Sequence, residues 1–95
     1  MTEPPANTRG VYGIAVAAEL TGVAAQTLRL YEKKGLLNPT RTSGGTRRYS
    51  EFDLASVRRV SQLLLEGLNL ASIRRVVELE TANAALRRRI SELSR

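Results

Sequence analysis

Apolar residues recur three or four positions apart through most of the chain, and short polar or glycine-containing segments interrupt them. This spacing places apolar side chains on one face of a helix and predicts a mainly α-helical protein. Gly22 predicts a tight turn between a first helix in AVAAEL and a second in AAQTLRLYEKKG, which Gly35 ends. Two helices joined in this way are typical of a helix-turn-helix. The apolar residues expected to reach the core are Val16, Leu20, Val23, Leu28 and Tyr31.

Three segments lack helical spacing. The stretch LLNPTRTSGGTRRYS contains Pro39, which disfavours a helix. Residues 38–42 and 46–49 are predicted to pair as strands around the two glycines, since glycine tolerates the positive φ of a hairpin turn. A hairpin directly after a helix-turn-helix is a wing. Residues 11–14 are predicted as a further short strand, and residues 1–10, with two prolines and no periodicity, as a disordered tail.

A third helix is predicted to begin after Ser50, with Asp53 three residues later as in a capping box. Gly67 is expected to end this helix, and Asn69 to cap a fourth. The apolar side of the third helix is predicted to comprise Phe52, Leu54, Val57, Val60, Leu63 and Leu64.

The fourth helix has no stop signal and carries a heptad pattern. Its a positions are Val76, Asn83 and Ile90, and its d positions are Leu79, Leu86 and Leu93. Such a seam predicts a short coiled coil that dimerises the chain through residues 76–95, and a polar a residue such as Asn83 commonly sets the register. A helix that packs on its own domain is the alternative.

Composition excludes several classes of function. The 95 residues suffice for one small domain, and they include no cysteine and no histidine. Disulfides, thiolate zinc sites and most acid–base or nucleophilic catalysis lose their usual residues, so we expect no enzyme, no metal and no cofactor. No apolar run approaches the ~20 residues of a membrane span, and the start has no secretory h-region. We therefore expect a cytoplasmic, nucleoid-associated protein.

The formal net charge of +6 is concentrated in the middle of the chain. Between residues 24 and 50, six cationic residues stand against a single acidic residue, Glu32. The six are Arg29, Lys33, Lys34, Arg41, Arg47 and Arg48. This distribution favours a polyanionic partner, and double-stranded DNA ahead of a membrane surface.

The segments GIAVAAELTGVAAQTLRLYEKKGLL, RTSGGTRRYS, EFDLASVRRV and LNLASIRRVVELE together resemble the MerR family of bacterial transcription regulators, over residues 12–80. Within the family they are most similar to the HspR branch, which represses heat-shock chaperone genes. The resemblance implies a winged helix-turn-helix of residues 11–75, a dimerisation helix of residues 76–95, and a DnaK-type chaperone as co-repressor. Ala24 departs from the family, since many members have a capping serine there, and this leaves the fine sequence preference open.

The resemblance also implies which residues contact DNA. In such motifs the first turn of the second helix enters the major groove, where Gln26 would read adenine and Arg29 would read guanine or clamp a phosphate. Arg47 is favoured for phosphate, and Tyr31 contacts phosphate or is wholly packed. For Tyr49, a place in the core or in a hinge between the wing and the third helix is favoured over a DNA contact. The full expected set is Ala25, Gln26, Thr27, Arg29, Tyr31, Lys33, Lys34, Arg41, Gly45, Arg47 and Arg48.

These observations lead us to expect a homodimer that binds an inverted-repeat operator and represses stress or chaperone genes. Two alternatives remain at this point. One is an architectural or excision-type DNA-binding protein of the same fold, which bends DNA and regulates no promoter. The other is a protein-interaction adaptor whose coiled coil carries the function.

Overall fold

A computed structural model describes residues 8–94 and contains four helices and one two-stranded hairpin. This architecture confirms the predicted mainly α-helical winged helix-turn-helix. In chain order the elements are α1 (Ile14–Thr21), α2 (Ala25–Lys33), β1 (Thr40–Arg41), β2 (Arg47–Arg48), α3 (Glu51–Leu65) and α4 (Leu70–Leu93). The predicted tail of residues 1–10 lies outside the described residues except for its last three, of which Gly10 packs against the wing.

The turn between α1 and α2 forms as its glycine predicts. Gly22 has φ +72°, in the left-handed region that favours glycine, and its N–H donates a 2.9 Å hydrogen bond to the carbonyl oxygen of Ala18. The helix α2 begins after Ala24, whose side chain makes no capping hydrogen bond. It ends one residue earlier than predicted, at Lys33, ahead of Gly35 at φ +79°.

The expectation that Val16 and Leu20 belong to the core is wrong. Their side chains are 44% and 48% exposed. The helix α1 instead packs through its alanines: Ala17 is fully buried, and the half-buried Ala18 lies against the core. Small side chains let α1 approach the rest of the core closely, and Val16 and Leu20 lie on its outer face.

The wing is shorter than predicted. Thr40 pairs with Arg48 and Arg41 with Arg47 in antiparallel register, so each strand has only two residues. The predicted strand at residues 11–14 is also wrong, because only Tyr12 forms a bridge, to Tyr49, and α1 already begins at Ile14. The bridge holds the N-terminal segment beside the wing.

The start of α3 confirms the predicted capping box. The Ser50 hydroxyl accepts a hydrogen bond from the Asp53 N–H at 3.0 Å, and the Asp53 carboxylate accepts one from the Ser50 N–H at 2.8 Å. The side chains that face the core recur every three residues, at Leu54, Val57, Val60 and Leu63. Phe52 and Leu64 fall outside this spacing and are exposed, contrary to expectation. Phe52 lines an open groove of about 500 Å³ between α3 and α4.

The helix α4 has two unlike halves. The Asn69 side chain caps it, as predicted, by accepting a hydrogen bond from the Ser72 N–H at 2.9 Å. Ile73 is fully buried, and Val76 and Val77 are half-buried against the core. Every described residue after Val77 is exposed, so at 1.5 Å per residue the second half extends the helix by about 24 Å. Within residues 8–94, no helix is both long and apolar enough to cross a membrane.

We expect Ser50→Ala to destabilise the protein, because the first turn of α3 loses its side-chain cap. The cost should be ~1 kcal/mol, within a range of about 0.5–2 kcal/mol, which lowers the thermal midpoint by about 4–8 °C in a domain of this size. Circular dichroism at one fixed protein concentration measures it. Ser43→Ala, an exposed serine of the wing turn, is the matched control. Equal midpoints for the two variants would contradict a stabilising role for the cap.

Candidate nucleic-acid interface

The helix α2 presents a polar face to solvent. Leu28 and Tyr31 point into the core, which fixes the opposite face outward. Gln26, Arg29 and Lys33 lie on that outer face, where i, i+3 and i+7 positions adjoin. Ala25 and Thr27 are half-buried, and Leu30 and Lys34 are exposed. Tyr31 is packed in the core with 4% of its surface exposed, and its contact with phosphate stays a prediction.

The register of the wing decides which of its side chains share a face. Residues directly opposite each other on two antiparallel strands project to the same side. Arg41 and Arg47 are such a pair and lie on the side of α2. Thr40 and Arg48 form the other pair and lie on the side of the N-terminal segment. The hairpin therefore has two unlike faces, with two guanidinium groups adjacent on one of them.

A single carboxylate bridges these two guanidinium groups. Nη2 of Arg41 lies 2.7 Å from Oε2 of Glu32, and Nε of Arg47 lies 2.6 Å from Oε1. Each carboxylate oxygen thus accepts one charge-assisted hydrogen bond. Nη1 of Arg41 also donates to the carbonyl oxygen of Gly45 at 3.0 Å, which ties the tip of the wing to its own strand.

Glu32 is the residue that sequence reasoning missed. In the sequence it stood out only as the one acidic residue among six cationic residues between positions 24 and 50. That isolation was the one sign that it pairs with some of them. Partial burial raises the pKa of Glu32, but the hydrogen bonds and charges of Arg47 and Arg41 lower it further. Its net pKa therefore lies below the ordinary value of 4.5. The carboxylate is ionised at neutral pH and holds the wing to α2.

The turn of the wing places Gly45 at φ +86°. The N–H of Gly45 donates to the carbonyl oxygen of Thr42 at 2.9 Å, and the N–H of Thr42 donates to that of Thr46 at 2.8 Å. Only Gly45 of the two glycines has a positive φ. A β-carbon there would meet no atom within 4 Å, so backbone conformation, rather than space within the chain, requires glycine.

Arg48 lies on the face of the wing turned towards the start of α1. A β-carbon at Gly13 would stand 3.2 Å from its Nη1 atom, and one at Gly10 would stand 2.7 Å from its carbonyl oxygen. The N-terminal segment therefore passes the wing at a distance that only glycine permits at residue 10. Arg48 is half-buried there and makes no ion pair within residues 8–94.

Tyr49 lies in the core where the wing ends. Its side chain is fully buried, and its hydroxyl has no hydrogen-bond partner within the described residues. Burial raises the pKa of Tyr49, with further influence from the charges of Arg47, Glu32, Asp53 and Arg29. Of the roles considered for this residue, the structure has the core position beside the interface.

Both arginines of α3 are engaged within the chain. Arg58 donates to the carbonyl oxygen of Leu20 at 3.3 Å, and Arg59 pairs with Glu80 at 2.7 Å. These contacts tie α3 to the end of α1 and to α4. Residues 8–94 contain no group of three or more histidine, cysteine, aspartate or glutamate side chains placed to hold a metal ion.

The heptad seam lies open along the second half of α4. Val76 packs partly on its own core. Asn83 is exposed, and the leucines and isoleucine of the seam are between 59% and 78% exposed. These four apolar residues are Leu79, Leu86, Ile90 and Leu93. The alternative in which this part of the helix packs on its own domain does not hold in the structure.

Comparison with known proteins places these features in a family. A family model described as MerR HTH family regulatory protein matches residues 12–80. The chain is 51% identical over 85 residues to the heat shock protein HspR of Streptomyces coelicolor. The aligned region covers 88% of this chain and 56% of HspR. It is 32% identical over 88 residues to the transcriptional regulator GlnR of Bacillus anthracis, covering 90% of this chain and 68% of GlnR.

Solved structures show the same fold. HiNmlR, described as a MerR family regulator lacking the sensor domain and bound to promoter DNA, superposes with a TM-score of 0.70 at 35% identity. The match covers 87% of this chain and 64% of HiNmlR. The N-terminus of MtaN, the Bacillus subtilis multidrug transporter activator, superposes with a TM-score of 0.64 at 26% identity, over 88% of this chain and 89% of that one. The chain thus spans little more than half the length of HspR and under two thirds of HiNmlR.

The bridge at Glu32 predicts a pH-dependent contribution to stability. Because its pKa is lower in the folded than in the unfolded protein, the contribution is present above about pH 4.5 and is lost as pH falls through the folded value. Urea unfolding should therefore find Glu32→Gln less stable than wild type at pH 7, with a smaller deficit at pH 3. Glu19→Gln removes an exposed carboxylate that has no ion pair within residues 8–94, and gives the background. A Glu32→Gln deficit of the same size at both pH values would contradict the bridge.

Proposed function

The chain belongs to the MerR family of helix-turn-helix regulatory proteins, and we propose that it is a sequence-specific repressor that binds double-stranded DNA as a homodimer. The observation that carries the proposal is the exposed polar face of α2, formed by Gln26, Arg29 and Lys33, beside a wing with three arginines. This family consists of regulators rather than enzymes. The match to a promoter-bound MerR regulator supports DNA as the ligand.

In this proposal α2 reads bases. A helix of its size fits the major groove of B-DNA, where side chains from its first turns reach base edges. Gln26 suits adenine and Arg29 suits guanine, in each case through two hydrogen bonds. Ala25 keeps the first turn close to the DNA, and Thr27 offers a hydroxyl to phosphate. Lys33 and Lys34 lie at the other end of α2, where they would contact phosphate.

The wing in this proposal contacts the backbone. Its arginines Arg41, Arg47 and Arg48 are suited to phosphate, since a guanidinium group donates forked, charge-assisted hydrogen bonds. Gly45 at the tip leaves the backbone open for a close approach. Two of the three arginines, Arg41 and Arg47, bind Glu32 in the free protein. DNA phosphates would therefore share these guanidinium groups with the Glu32 carboxylate or displace it from them.

Residues 76–95 form the dimerisation helix in this proposal, and residues 11–75 the DNA-binding domain. The support is the row of apolar residues left open along α4, which burial in a second copy would remove from water. Asn83 in the middle of the row would fix the register of the two helices. Two copies then present two α2 helices to an inverted-repeat operator.

The identity with HspR favours stress or chaperone genes as the regulated set, and cytoplasm as the compartment, where the chromosome lies. We also propose a DnaK-type chaperone as co-repressor, which the resemblance to the HspR branch implies. Binding of the chaperone would change the affinity of the dimer for DNA. Such coupling requires that the chaperone bind the DNA-bound and the free dimer with different affinities.

We expect Arg29→Ala to weaken binding and to relax base preference at one position, at a cost of about 1–3 kcal/mol. Lys33→Ala, the matched control on the same helix face, should weaken all sequences about equally and reduce the salt slope by about one phosphate contact. Selection from a randomised duplex pool, followed by fluorescence anisotropy at several salt concentrations, measures both. If Arg29→Ala kept full affinity and the same selected sequence, α2 would not be the reading element.

The open seam predicts a dimer at micromolar concentration. Leu86→Glu should shift it to monomer, because each side chain loses about 1.5–3 kcal/mol of burial and two charges are brought together. Ala85→Glu introduces the same charge outside the heptad seam and should remain dimeric. Sedimentation velocity measures the masses. Wild-type protein that sediments as a monomer, both free and on DNA, would rule out the seam as the interface.

A further inference from the structure

Glu32 differs in two ways from an acidic residue in an ordinary surface ion pair. It is the one acidic residue between positions 24 and 50, and it binds two arginines of the wing at once, at 2.7 and 2.6 Å. Its side chain is 21% exposed, against 44% for Arg41 and 28% for Arg47, so all three remain within reach of a ligand at the surface.

The bridge is also the connection between the two parts of the proposed interface. Within residues 8–94, the hydrogen bonds between α2 and the hairpin strands are those that Arg41 and Arg47 donate to Glu32. Glu32 stands three residues after Arg29 and directly before Lys33 on α2. The position of the wing arginines is therefore set from the helix that carries the proposed base contacts.

The same carboxylate opposes any phosphate that approaches the wing. Phosphate and carboxylate compete for the same guanidinium donors, and their negative charges repel each other. A partly exposed ion pair contributes little to stability, so phosphate can displace it. Glu32 thus lowers the attraction of the wing for a nucleic acid backbone in general, while it keeps the two arginines at fixed positions.

We propose that Glu32 is a specificity-determining positioning residue, which holds Arg41 and Arg47 so that phosphates bind both of them fully only when α2 is seated in the major groove. This inference rests on the proposed DNA binding. Specificity is a difference between two affinities, and a repulsive element that weakens binding to random DNA increases it. Arginines freed from Glu32 would bind phosphate in many orientations of the protein.

The test compares Glu32→Gln with Glu19→Gln in the full chain. Both variants remove one negative charge, but only Glu32 bridges the wing, and Glu19 is exposed on α1. Two duplexes serve as probes: one of random sequence, and one selected by the wild-type protein from a randomised pool. Affinities are measured from 50 to 200 mM salt, and circular dichroism checks that each variant is folded at the assay temperature.

Glu32→Gln should bind the random duplex at least about threefold more tightly than Glu19→Gln does, and its ratio of selected to random affinity should fall. Each additional phosphate that the wing binds should cost a further factor of about 3.5 in affinity over this fourfold rise in salt, from a slope of ~0.9 per phosphate. In an Arg41→Gln, Arg47→Gln background, Glu32→Gln should have no more effect than Glu19→Gln, because the arginines it would release are absent.

A purely structural role gives a different result. In that case Glu32→Gln lowers the thermal midpoint but matches Glu19→Gln in salt slope and in affinity ratio, and the proposal is overturned. If Glu32→Gln is unfolded, Glu32→Asp decides: the charge is kept on a shorter side chain, so random affinity should stay near wild type while selected affinity falls. Equal loss on both duplexes would overturn the proposal. Wild-type protein that enriches no sequence from the pool would instead refute the proposed function, and this inference with it.

Discussion

Two guanidinium groups that face the same way across a two-stranded hairpin repel each other, and the carboxylate between them offsets that repulsion. Like charges directly opposite on paired strands are destabilising, and a wing with only two residues in each strand has few hydrogen bonds to resist it. Glu32 supplies the missing negative charge from a different element, α2. The wing and α2 therefore depend on each other. The hairpin places the two arginines side by side, and the carboxylate from α2 offsets the repulsion between them.

A second constraint lies where the wing ends. Tyr49 exchanges backbone hydrogen bonds with Tyr12, at 2.9 and 2.7 Å, and buries its ring in the core. The next residue, Ser50, caps α3. Within two positions the chain thus fixes the N-terminal segment, the wing and the start of α3. The apolar contacts of the Tyr49 ring stabilise this junction.

Much of the fold was predictable because its signals are local. The capping box at Ser50, the left-handed glycines and the heptad spacing of α4 each act within a few residues, where sequence determines conformation directly. The outward position of Val16 was not predictable in the same way, since a short helix rich in alanine has no single apolar face. Which face of α1 is buried depends on how closely α2 and α3 approach it, and that is a property of the assembled core.

The candidate site was likewise predictable only in part. Gln26 and Arg29 were named from the helix-turn-helix motif and the family resemblance, and both are exposed. The partner of Arg47 was not predictable, because Glu32 is fifteen positions away and the pairing depends on the hairpin register.

The length of the wing turn determines which arginine faces which neighbour. Side chains alternate between the two faces of a strand, so a shift of one residue in the pairing would exchange the faces. Arg48 would then take the side towards α2, and Arg47 would turn to the N-terminal segment, which passes so close to the wing that residue 10 has no room for a β-carbon. An insertion or deletion of one residue between Arg41 and Arg47 that shifted the pairing would thus change which arginines face α2, although every charged residue was kept. The number of residues in the turn therefore matters to this surface as much as the arginines do.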